Sequence, residues 1–341
     1  MTLEMVTRPH RRNMVAWAAD KPEVLVLSAD LTASCEADGF REAYPDRFFS
    51  MGMAEQNMMS FAGGLAREGF FPFVHTFAVF VCRRPFDQVA MSIAYPNLPV
   101  RLLGFLPGLT TPGGVTHQAI DDLALMRALP NMTVLECGDA TEVESVLDVA
   151  HGVDGPVYVR MLRGEVPRLF SSDEPMVLGE PRVLSRGDDV TVVSTGVCTE
   201  EAIRAVTALE GPGVSVTHLH LSTIKPFDAR AVVDAAASSR AGVVVLENHS
   251  VIGGVGSAVA EALAEAGVGC RLIRLGVKDT YAHGASRAYL LREYGLDGIA
   301  LVGAVENLLG IGAGSLGVTD EMLEAASVEA SAPSQTRVED L

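Results

Sequence analysis

Three short segments of the chain carry residue types that can take part in chemistry. Glu55 lies at the predicted start of a helix, where the helix dipole stabilises a carboxylate, so its position alone favours a capping role. Phe77 and Phe80 stand three residues apart just past a predicted strand, and packing in a core is the usual role of Phe. His117 follows the glycine pair 113–114 in a predicted loop, where binding and catalytic residues often lie. Each residue alone has an ordinary structural interpretation, and only their combination points to a site.

The elements that must position these residues are predicted by alternating apolar strands and amphipathic helices. In the first half of the chain, strands are predicted at 24–27, 47–50, 71–74, 100–105, 133–136 and 157–161, and helices at 58–65, 85–94, 121–129 and 140–150. In the second half, strands are predicted at 190–194, 214–219, 243–246 and 271–275, and helices at 200–209, 228–236 and 256–266. Such alternation predicts mostly parallel sheets with helices on both faces. The predicted fold class is therefore α/β, with two doubly wound domains.

A change in composition separates the two predicted domains. The first spans residues 1–165, and the second spans residues 186–312. Between them, residues 166–185 are rich in Pro, Ser and acidic residues, which predicts a linker. Residues 313–341 are rich in Ala, Ser, Gly and Glu, which predicts a flexible tail with a short helix at 320–326.

Charge and cysteine content limit the classes of partner and compartment. The net charge of -17 argues against nucleic acid and anionic membrane as partners, because phosphate groups need clustered Lys and Arg. No apolar signal region follows the basic start, and no apolar stretch is long enough to predict a membrane span. The five cysteines form no CxxC pair, which favours reduced thiols in a cytoplasmic protein. Cys137 and Cys198 stand at predicted strand ends and are interpreted as buried small hydrophobic residues.

Taken in order, the three segments and a fourth one resemble the pyrimidine-binding half of transketolases. The motifs that carry this resemblance are Met-Ala-Glu55-Gln-Asn, Thr-Phe77-Ala-Val-Phe80, Thr-His117-Gln118 and Met126-Arg-Ala-Leu-Pro-Asn131. The second half resembles the C-terminal domain of the family through Val-Val-Leu-Glu247-Asn-His249, Gly253-Gly-Val-Gly256 and Asp279-Thr-Tyr-Ala-His-Gly284. The glycine run also matches part of a dinucleotide-binding fingerprint, but it lacks the full spacing. The resemblance covers about residues 5–310 and extends to 1-deoxyxylulose-5-phosphate synthase and the β subunit of 2-oxoacid dehydrogenase E1.

The resemblance implies a thiamine diphosphate site. In the family, a carboxyl group hydrogen-bonds N1′ of the aminopyrimidine and favours its imino tautomer, and Glu55 matches this group. Phe77 and Phe80 match the aromatic wall against which the aminopyrimidine packs, with Phe80 as the stacking ring. Asp30 resembles a residue beside the cofactor. The cofactor carries the demanding chemistry, and the protein orients and tunes it.

The resemblance also implies a region that binds sugar substrates. His117 matches a histidine near the hydroxyl groups of the donor ketose, where it is suited to proton transfer and polar anchoring. Ser34, Arg163 and Arg8 match ligands of the substrate phosphate, a role that suits arginine because of its planar fork of donors. The alternative for both arginines is ordinary surface charge.

Two departures from the family pattern bear on the identity of the substrate. Phe105 stands about where transketolases have a phosphate-contacting histidine, and Gly113 stands where they have an acid that reads a donor hydroxyl. A site that lacks such polar contacts discriminates less strongly for the groups they bind. We therefore expect ketol transfer to an aldose from a donor other than xylulose 5-phosphate, such as a branched, deoxy, sulfonated or unphosphorylated ketose.

The resemblance further implies a partner chain. The family holds Mg²⁺ and the cofactor diphosphate with a Gly-Asp-Gly motif and a downstream Asn-Asn, and neither motif occurs in this sequence. A separate N-terminal transketolase subunit is therefore expected to supply the metal and diphosphate half, in an α2β2 heterotetramer with no metal ligand from this chain. Two alternatives are the β subunit of an E1-type enzyme that decarboxylates a 2-oxo acid, and a non-catalytic homologue.

Overall fold

The first half of the chain folds as alternating strands and helices in the computed structural model, which describes residues 3–326. Its strands are β1 (Glu4–Thr7), β2 (Val24–Ser28), β3 (Phe48–Ser50), β4 (Phe71–Phe77), β5 (Arg101–Phe105), β6 (Thr133–Glu136), β7 (Val157–Met161) and β8 (Glu165–Arg168). Its helices are α1 (Pro9–Trp17), α2 (Asp38–Ala43), α3 (Glu55–Arg67), α4 (Ala78–Cys82), α5 (Phe86–Gln88), α6 (Asp122–Ala128) and α7 (Ala140–His151). The helix predicted at 85–94 is instead the single turn α5, followed by a π-helical turn at Val89–Ala94.

The second half repeats this alternation. Its strands are β9 (Arg182–Ser185), β10 (Val190–Ser194), β11 (Val216–His220), β12 (Thr223–Lys225), β13 (Gly242–Ser250) and β14 (Leu272–Val277). Its helices are α8 (Cys198–Glu210), α9 (Ala229–Ser238), α10 (Val255–Glu265), α11 (Arg287–Glu293), α12 (Gly298–Leu309) and α13 (Asp320–Ala326).

Two sheets form the centres of the two domains. The first has the strand order β12-β6-β7-β5-β4-β2-β3, in which β12 is antiparallel to β6 and the other neighbours are parallel. The second has the order β14-β13-β10-β11-β9, with β9 antiparallel to β11. Strands such as β2 and β5 are buried along their whole length, as strands covered by helices on both faces are. The prediction of two α/β domains with mostly parallel sheets is confirmed.

Parallel strands place the functional loops of the first domain together. The carboxyl ends of β2, β4, β5 and β7 lie at one edge of the sheet, and ligands of open α/β sheets bind at such an edge. The segments that follow these strands carry Asp30, Phe80, His117 and Arg163 respectively, with Phe80 in the short helix α4 and the other three in loops. The fold therefore brings four predicted site residues to the same side of the domain.

Strand β12 ties the second half of the chain to the first sheet. It follows β11 in sequence, yet it pairs with β6, with Thr223 opposite Leu135 and Lys225 opposite Val134. The sequence analysis did not predict this strand, because three residues give too little alternation to be recognised. The two domains are thus joined by backbone hydrogen bonds in addition to side-chain packing.

The segment expected to be a linker and part of the expected tail form regular structure. Residues 165–168 pair with β1 as β8, and Arg182–Ser185 pair with β11 as β9. Helix α13 lies in the tail, where Leu323 is buried and packs against Gly298. The rest of the expected tail, residues 327–341, lies outside the described residues.

A buried ion-pair network lies between the domains. Arg160 is fully buried, and its guanidinium donates to Asp122 Oδ1 at 2.6 Å, to Glu136 Oε1 at 2.8 Å and to the backbone carbonyl of Asn248 at 3.1 Å. Burial alone would raise the pKa of Asp122, but the charge of Arg160 outweighs it and lowers that pKa. Removing one partner would leave an uncompensated buried charge, so this network fixes how the second domain sits against the first.

Candidate active site

Glu55 is the first residue of α3, and its side chain is only 4% exposed. The positive end of the helix dipole stabilises a carboxylate at this position. Its Oε1 accepts a hydrogen bond from Nη1 of Arg84 at 2.7 Å. The side chain of Arg84 is 50% exposed, so the pair joins a buried acid to a cation at the surface.

Phe77 and Phe80 lie at the junction of β4 and α4. Phe77 ends the strand and is buried, whereas Phe80 lies one helical turn later and is half-buried. The two rings are 22° from parallel, with their centroids 6.0 Å apart. The guanidinium carbon of Arg84 lies 3.9 Å from the centroid of the Phe80 ring. The ring of Phe80 therefore presents one face to a planar cation, and that face is not buried in the core.

His117 joins this cluster from the loop between β5 and α6. Its ring meets Phe80 edge-on with the centroids 5.4 Å apart, and it meets Phe77 at 6.1 Å. Its Nδ1 lies 2.8 Å from the hydroxyl oxygen of Thr116. The structure thus brings His117 and the two phenylalanines into contact, while Glu55 is linked to them through the arginine that covers Phe80.

Arg8 and Ser34 lie in a second group along the same edge of the sheet. Arg8 takes a left-handed conformation with φ 48°, and its backbone N–H donates to the carbonyl of Gly164 at 2.7 Å. Its guanidinium donates to Ala33, next to Ser34, at 3.2 Å and pairs with Asp38 at 2.6 Å. Because Arg8 already has a carboxylate partner, its fit to a phosphate-binding role is weaker than the resemblance implies.

Asp30 lies directly after β2, at the edge that also carries the end of β4. It is exposed and takes φ 63°, a left-handed conformation that aspartate tolerates better than most residues. Its position is compatible with the predicted place beside a cofactor, but the geometry does not by itself assign it a ligand.

Arg163 has an unused donor, unlike Arg8. Its Nη1 is buried and has no hydrogen-bond partner within residues 3–326. Together with Thr110 and Arg287, Arg163 lines an open cavity of about 80 Å³. Arg287 comes from the second domain, and its Nη2 lies 3.7 Å from Oε2 of Glu200. The sequence analysis missed Arg287, because no local pattern connects it with Arg163 in the other domain.

Phe105 is fully buried and packs with two histidines, His10 and His75. Nδ1 of His75 lies 3.1 Å from the carbonyl oxygen of Phe73, so this nitrogen carries the proton and donates. Nε2 of His75 then accepts from Nε2 of His10 at 3.0 Å, and Nδ1 of His10 has no partner within the described residues. Burial lowers the pKa of His75 to about 4, and burial together with His75 lowers the pKa of His10 well below its usual value. A buried cluster of Phe105 and two neutral histidines therefore lies at the position for which the resemblance implies a phosphate-contacting histidine.

The two cysteines at strand ends are buried in the structure. Both Cys137 and Cys198 are fully buried, and burial raises the pKa of each thiol well above its usual value. A neutral buried thiol is a poor nucleophile. The interpretation of these residues as small hydrophobic core residues is therefore confirmed.

Residues 3–326 contain no candidate site for a metal ion and no helix that could span a membrane. In that range, no three His, Cys, Asp or Glu side chains are grouped so that they could hold a metal ion. Within the same range, the helices are too short or too polar to cross a bilayer.

The fold and the cleft, formed by Glu55, Phe77, Phe80, Arg84 and His117, define a class of protein. It has two α/β domains, and the first presents a buried acid and an aromatic pair at the carboxyl edge of its sheet. Residues 8–168 match the pyrimidine binding domain of transketolase, and residues 179–300 match the transketolase C-terminal domain. The chain belongs to the transketolase family, and it has the two domains of a C-terminal subunit of a split transketolase.

Three known proteins are similar to this chain over most of the length of both sequences. A split gene transketolase, solved as an inactive beta4 tetramer, is 40% identical with a TM-score of 0.82, and the match covers 89% of this chain and 97% of that one. A 6-deoxy-6-sulfo-D-fructose transketolase subunit from a Clostridium species is 38% identical over 86% of this chain and 91% of its own. A transketolase family protein of Sinorhizobium fredii is 38% identical over 88% of each chain.

Arg84 is the residue of the cleft that the sequence analysis missed. It stands four positions after Phe80, in the turn that follows α4. No sequence pattern pointed to Arg84, because the short helix α4, which follows β4 without a loop, was not predicted. The contacts of Arg84 with Phe80 and Glu55 depend on how α4 and α3 are arranged in space, so sequence spacing alone predicts neither contact.

Proposed function

We propose that this chain provides the pyrimidine-binding side of a thiamine diphosphate site in a transketolase-type transferase, which moves a two-carbon ketol unit from a ketose to an aldose. The observation that carries the proposal is the pair of contacts that Arg84 makes with Glu55 and Phe80. A planar group that forms a hydrogen bond at its edge fits between a buried carboxyl and an aromatic face, so the planar aminopyrimidine, with N1′ at its edge, fits these two contacts. Membership of the transketolase family supports the choice of cofactor.

The residues of the cleft have separate roles in this proposal. When bound, thiamine diphosphate would supply the nucleophilic carbon to which the two-carbon unit is attached during transfer. Glu55, in its protonated form, donates to N1′ of the pyrimidine and so favours the imino tautomer. Phe80, backed by Phe77, provides a flat apolar surface for the ring. Because Glu55 is only 4% exposed, little water competes for its hydrogen bond.

The sugar substrate is assigned to the neighbouring residues. His117 is partly exposed and lies against Phe80, where its imidazole is placed to anchor a donor hydroxyl and to move a proton. Arg163 is the best candidate for the anionic end of the donor, because it has a buried N–H with no partner in the described residues. Ser34 and Arg8 lie in the adjoining loops as weaker candidates, and Asp30 is proposed to lie beside the cofactor.

We assign the diphosphate and Mg²⁺ half of the site to a separate N-terminal subunit, and we propose an α2β2 heterotetramer. The similar split gene transketolase, whose solved form is an inactive beta4 tetramer, supports the need for a second kind of chain. No Mg²⁺ ligand is assigned to this chain.

The donor is proposed to be a modified or anionic ketose other than xylulose 5-phosphate. Phe105 is fully buried and offers no polar atom, and Gly113 has no side chain, so neither position provides the polar contact to the sugar that the family resemblance implies. One relative, 38% identical to this chain, is named as a subunit of a 6-deoxy-6-sulfo-D-fructose transketolase, so its named substrate is a sulfonated ketose. A sulfonated deoxy ketose is therefore included among the donors to test.

The test of the proposal is reconstitution. This chain is purified with the co-expressed protein that carries Gly-Asp-Gly and Asn-Asn, and ketol transfer is measured with thiamine diphosphate and Mg²⁺. We expect activity from the pair and none from either chain alone. Ketol transfer by this chain alone would contradict the division of the site, and cofactor binding without any transfer from a broad panel of ketoses would contradict the assigned reaction.

A further inference from the structure

We propose that the guanidinium of Arg84 occupies the place of the aminopyrimidine in the unassembled chain and must leave before the cofactor binds. This inference rests on the proposed function, because it takes Glu55 and Phe80 as the contacts of the pyrimidine. It adds a property that the function alone does not require, namely that the chain closes its own half-site.

The geometry of Arg84 reproduces both contacts of the expected ligand. Its Nη1 donates to Glu55 at 2.7 Å while its guanidinium carbon lies 3.9 Å from the centroid of the Phe80 ring. The guanidinium is flat, and it stacks on aromatic faces as a planar ring does. A second flat group cannot stack on the same face of Phe80 at van der Waals distance and bind the same carboxyl oxygen. Arg84 and an aminopyrimidine therefore exclude each other.

The direction of the hydrogen bond strengthens this exclusion. A guanidinium only donates, so Glu55 is the acceptor in its contact with Arg84. In the proposed reaction Glu55 is instead the donor, towards N1′. The bond to Arg84 thus engages Oε1 of Glu55 as an acceptor while the guanidinium covers the stacking face, and both contacts must be broken before the pyrimidine binds.

Arg84 is built so that its side chain can move while its backbone stays in place. Its side chain is half exposed, and its backbone carbonyl accepts a hydrogen bond from the side chain of Gln56 in α3 at 3.3 Å. It lies just after the end of α4, so a change of its rotamer leaves the helix intact. A half-exposed ion pair and a single cation–π contact are each weak, so we expect the arginine to compete with the ligand rather than to exclude it completely.

The experiment measures the pyrimidine half-site without the diphosphate half. The full chain is titrated with 4-amino-5-hydroxymethyl-2-methylpyrimidine, and binding is followed by ligand-observed NMR. We expect Arg84→Ala to bind this probe roughly tenfold more tightly than the wild-type chain. Arg67→Ala is the matched control, because Arg67 is an exposed arginine at the far end of α3 and its loss changes the net charge equally. Circular dichroism establishes that each variant is folded.

The outcomes separate this inference from the function on which it rests. Tighter binding by Arg84→Ala, with Arg67→Ala equal to wild type, supports a specific occupant. Equal or weaker binding by Arg84→Ala overturns the inference while the pyrimidine site stands. Equal tightening in both variants also overturns it, because the effect would then be one of net charge. If the probe binds no variant at all, the assignment of Glu55 and Phe80 fails, and the inference fails with it.

Discussion

Gly113 lies directly against the imidazole of His117: a Cβ added to Gly113 would stand 3.0 Å from both Cβ and Cγ of His117. Real Cβ atoms rarely make contacts this close, so any side chain at position 113 would require the histidine to shift. The position of His117 against Phe80 therefore depends on the glycine. The absence of a side chain at position 113 and the placement of the histidine are two aspects of one arrangement.

Substitution of Gly113 should impair the use of the donor sugar without affecting the cofactor. Gly113→Ala pushes His117 by a few tenths of an ångström, and because a misplacement of about 1 Å can cost about a hundredfold in rate, this smaller shift should cost roughly three- to tenfold. We expect kcat/KM for the donor to fall by this factor in the assembled enzyme, with an unchanged dissociation constant for thiamine diphosphate. Val115→Ala, an exposed position in the same loop, should have no effect. Wild-type kcat/KM in Gly113→Ala would show that His117 does not act on the donor.

Removal of the Phe80 ring should weaken cofactor binding more than folding. In Phe80→Ala the aminopyrimidine loses its stacking surface, so the thiamine diphosphate concentration for half-maximal activity should rise about tenfold. The control is Phe73→Ala, since Phe73 is fully buried in β4 and its removal should cost about 3–5 kcal/mol of stability. If Phe80→Ala shows only the stability loss, with unchanged half-saturation, Phe80 is an ordinary core residue.

Arg163 should govern the affinity for anionic donors. Arg163→Gln removes the charge but keeps an amide donor, so KM for phosphorylated or sulfonated ketoses should rise roughly ten- to a hundredfold. KM for neutral ketoses should stay the same, which makes them the internal control. A donor panel on the wild-type enzyme completes the measurement, and xylulose 5-phosphate as best donor by tenfold or more would refute the proposed substrate preference.

Stability should fall in mild acid because buried histidines are neutral in the fold. Burial lowers the pKa of His75 to about 4, whereas the unfolded chain has a pKa of about 6.5. Between these values only the unfolded chain binds the proton, so the contribution of His75 is complete above pH 6.5 and is lost as the pH falls towards 4. This one group accounts for about 3 kcal/mol across that window.

Urea unfolding at pH 7 and at pH 5 measures this dependence. The difference in the free energy of unfolding between the two conditions should be smaller in His75→Gln than in wild type. It should not vanish, because burial also lowers the pKa of His218 to about 3 and that of His249 to about 4. His283→Gln, an exposed position, should keep the full difference, and the same reduction there would contradict the assignment.

The sequence predicts the strands of both sheets well where apolar runs are bounded by turn residues. Thr133–Glu136, Val157–Met161 and Val190–Ser194 fall at their predicted bounds, because these strands are buried on both faces and read as continuous apolar stretches. Strand β12 could not be predicted, because its partner lies almost ninety positions away and only the packed domains bring them together.

The residues of the candidate site also divide into those that the sequence predicts and those that only the structure reveals. Glu55, Phe77, Phe80 and His117 could be selected because their motifs follow one another in the order of a known family. Arg84 and Arg287 could not, because their roles depend on contacts between separate elements. The buried pair of His10 and His75 is a further case, since its hydrogen bond joins α1 to β4.

The most direct test of the account is the substitution Glu55→Gln in the assembled enzyme. The replacement is nearly isosteric, but it cannot donate a proton to N1′ as a carboxylic acid does, so we expect ketol transfer to fall roughly 10²–10⁴-fold at saturating cofactor. Folding and assembly should be preserved, and Glu68→Gln, an exposed position just after the same helix, should retain full activity. Activity of Glu55→Gln within threefold of wild type would contradict the central claim that Glu55 is the acid of a thiamine diphosphate site.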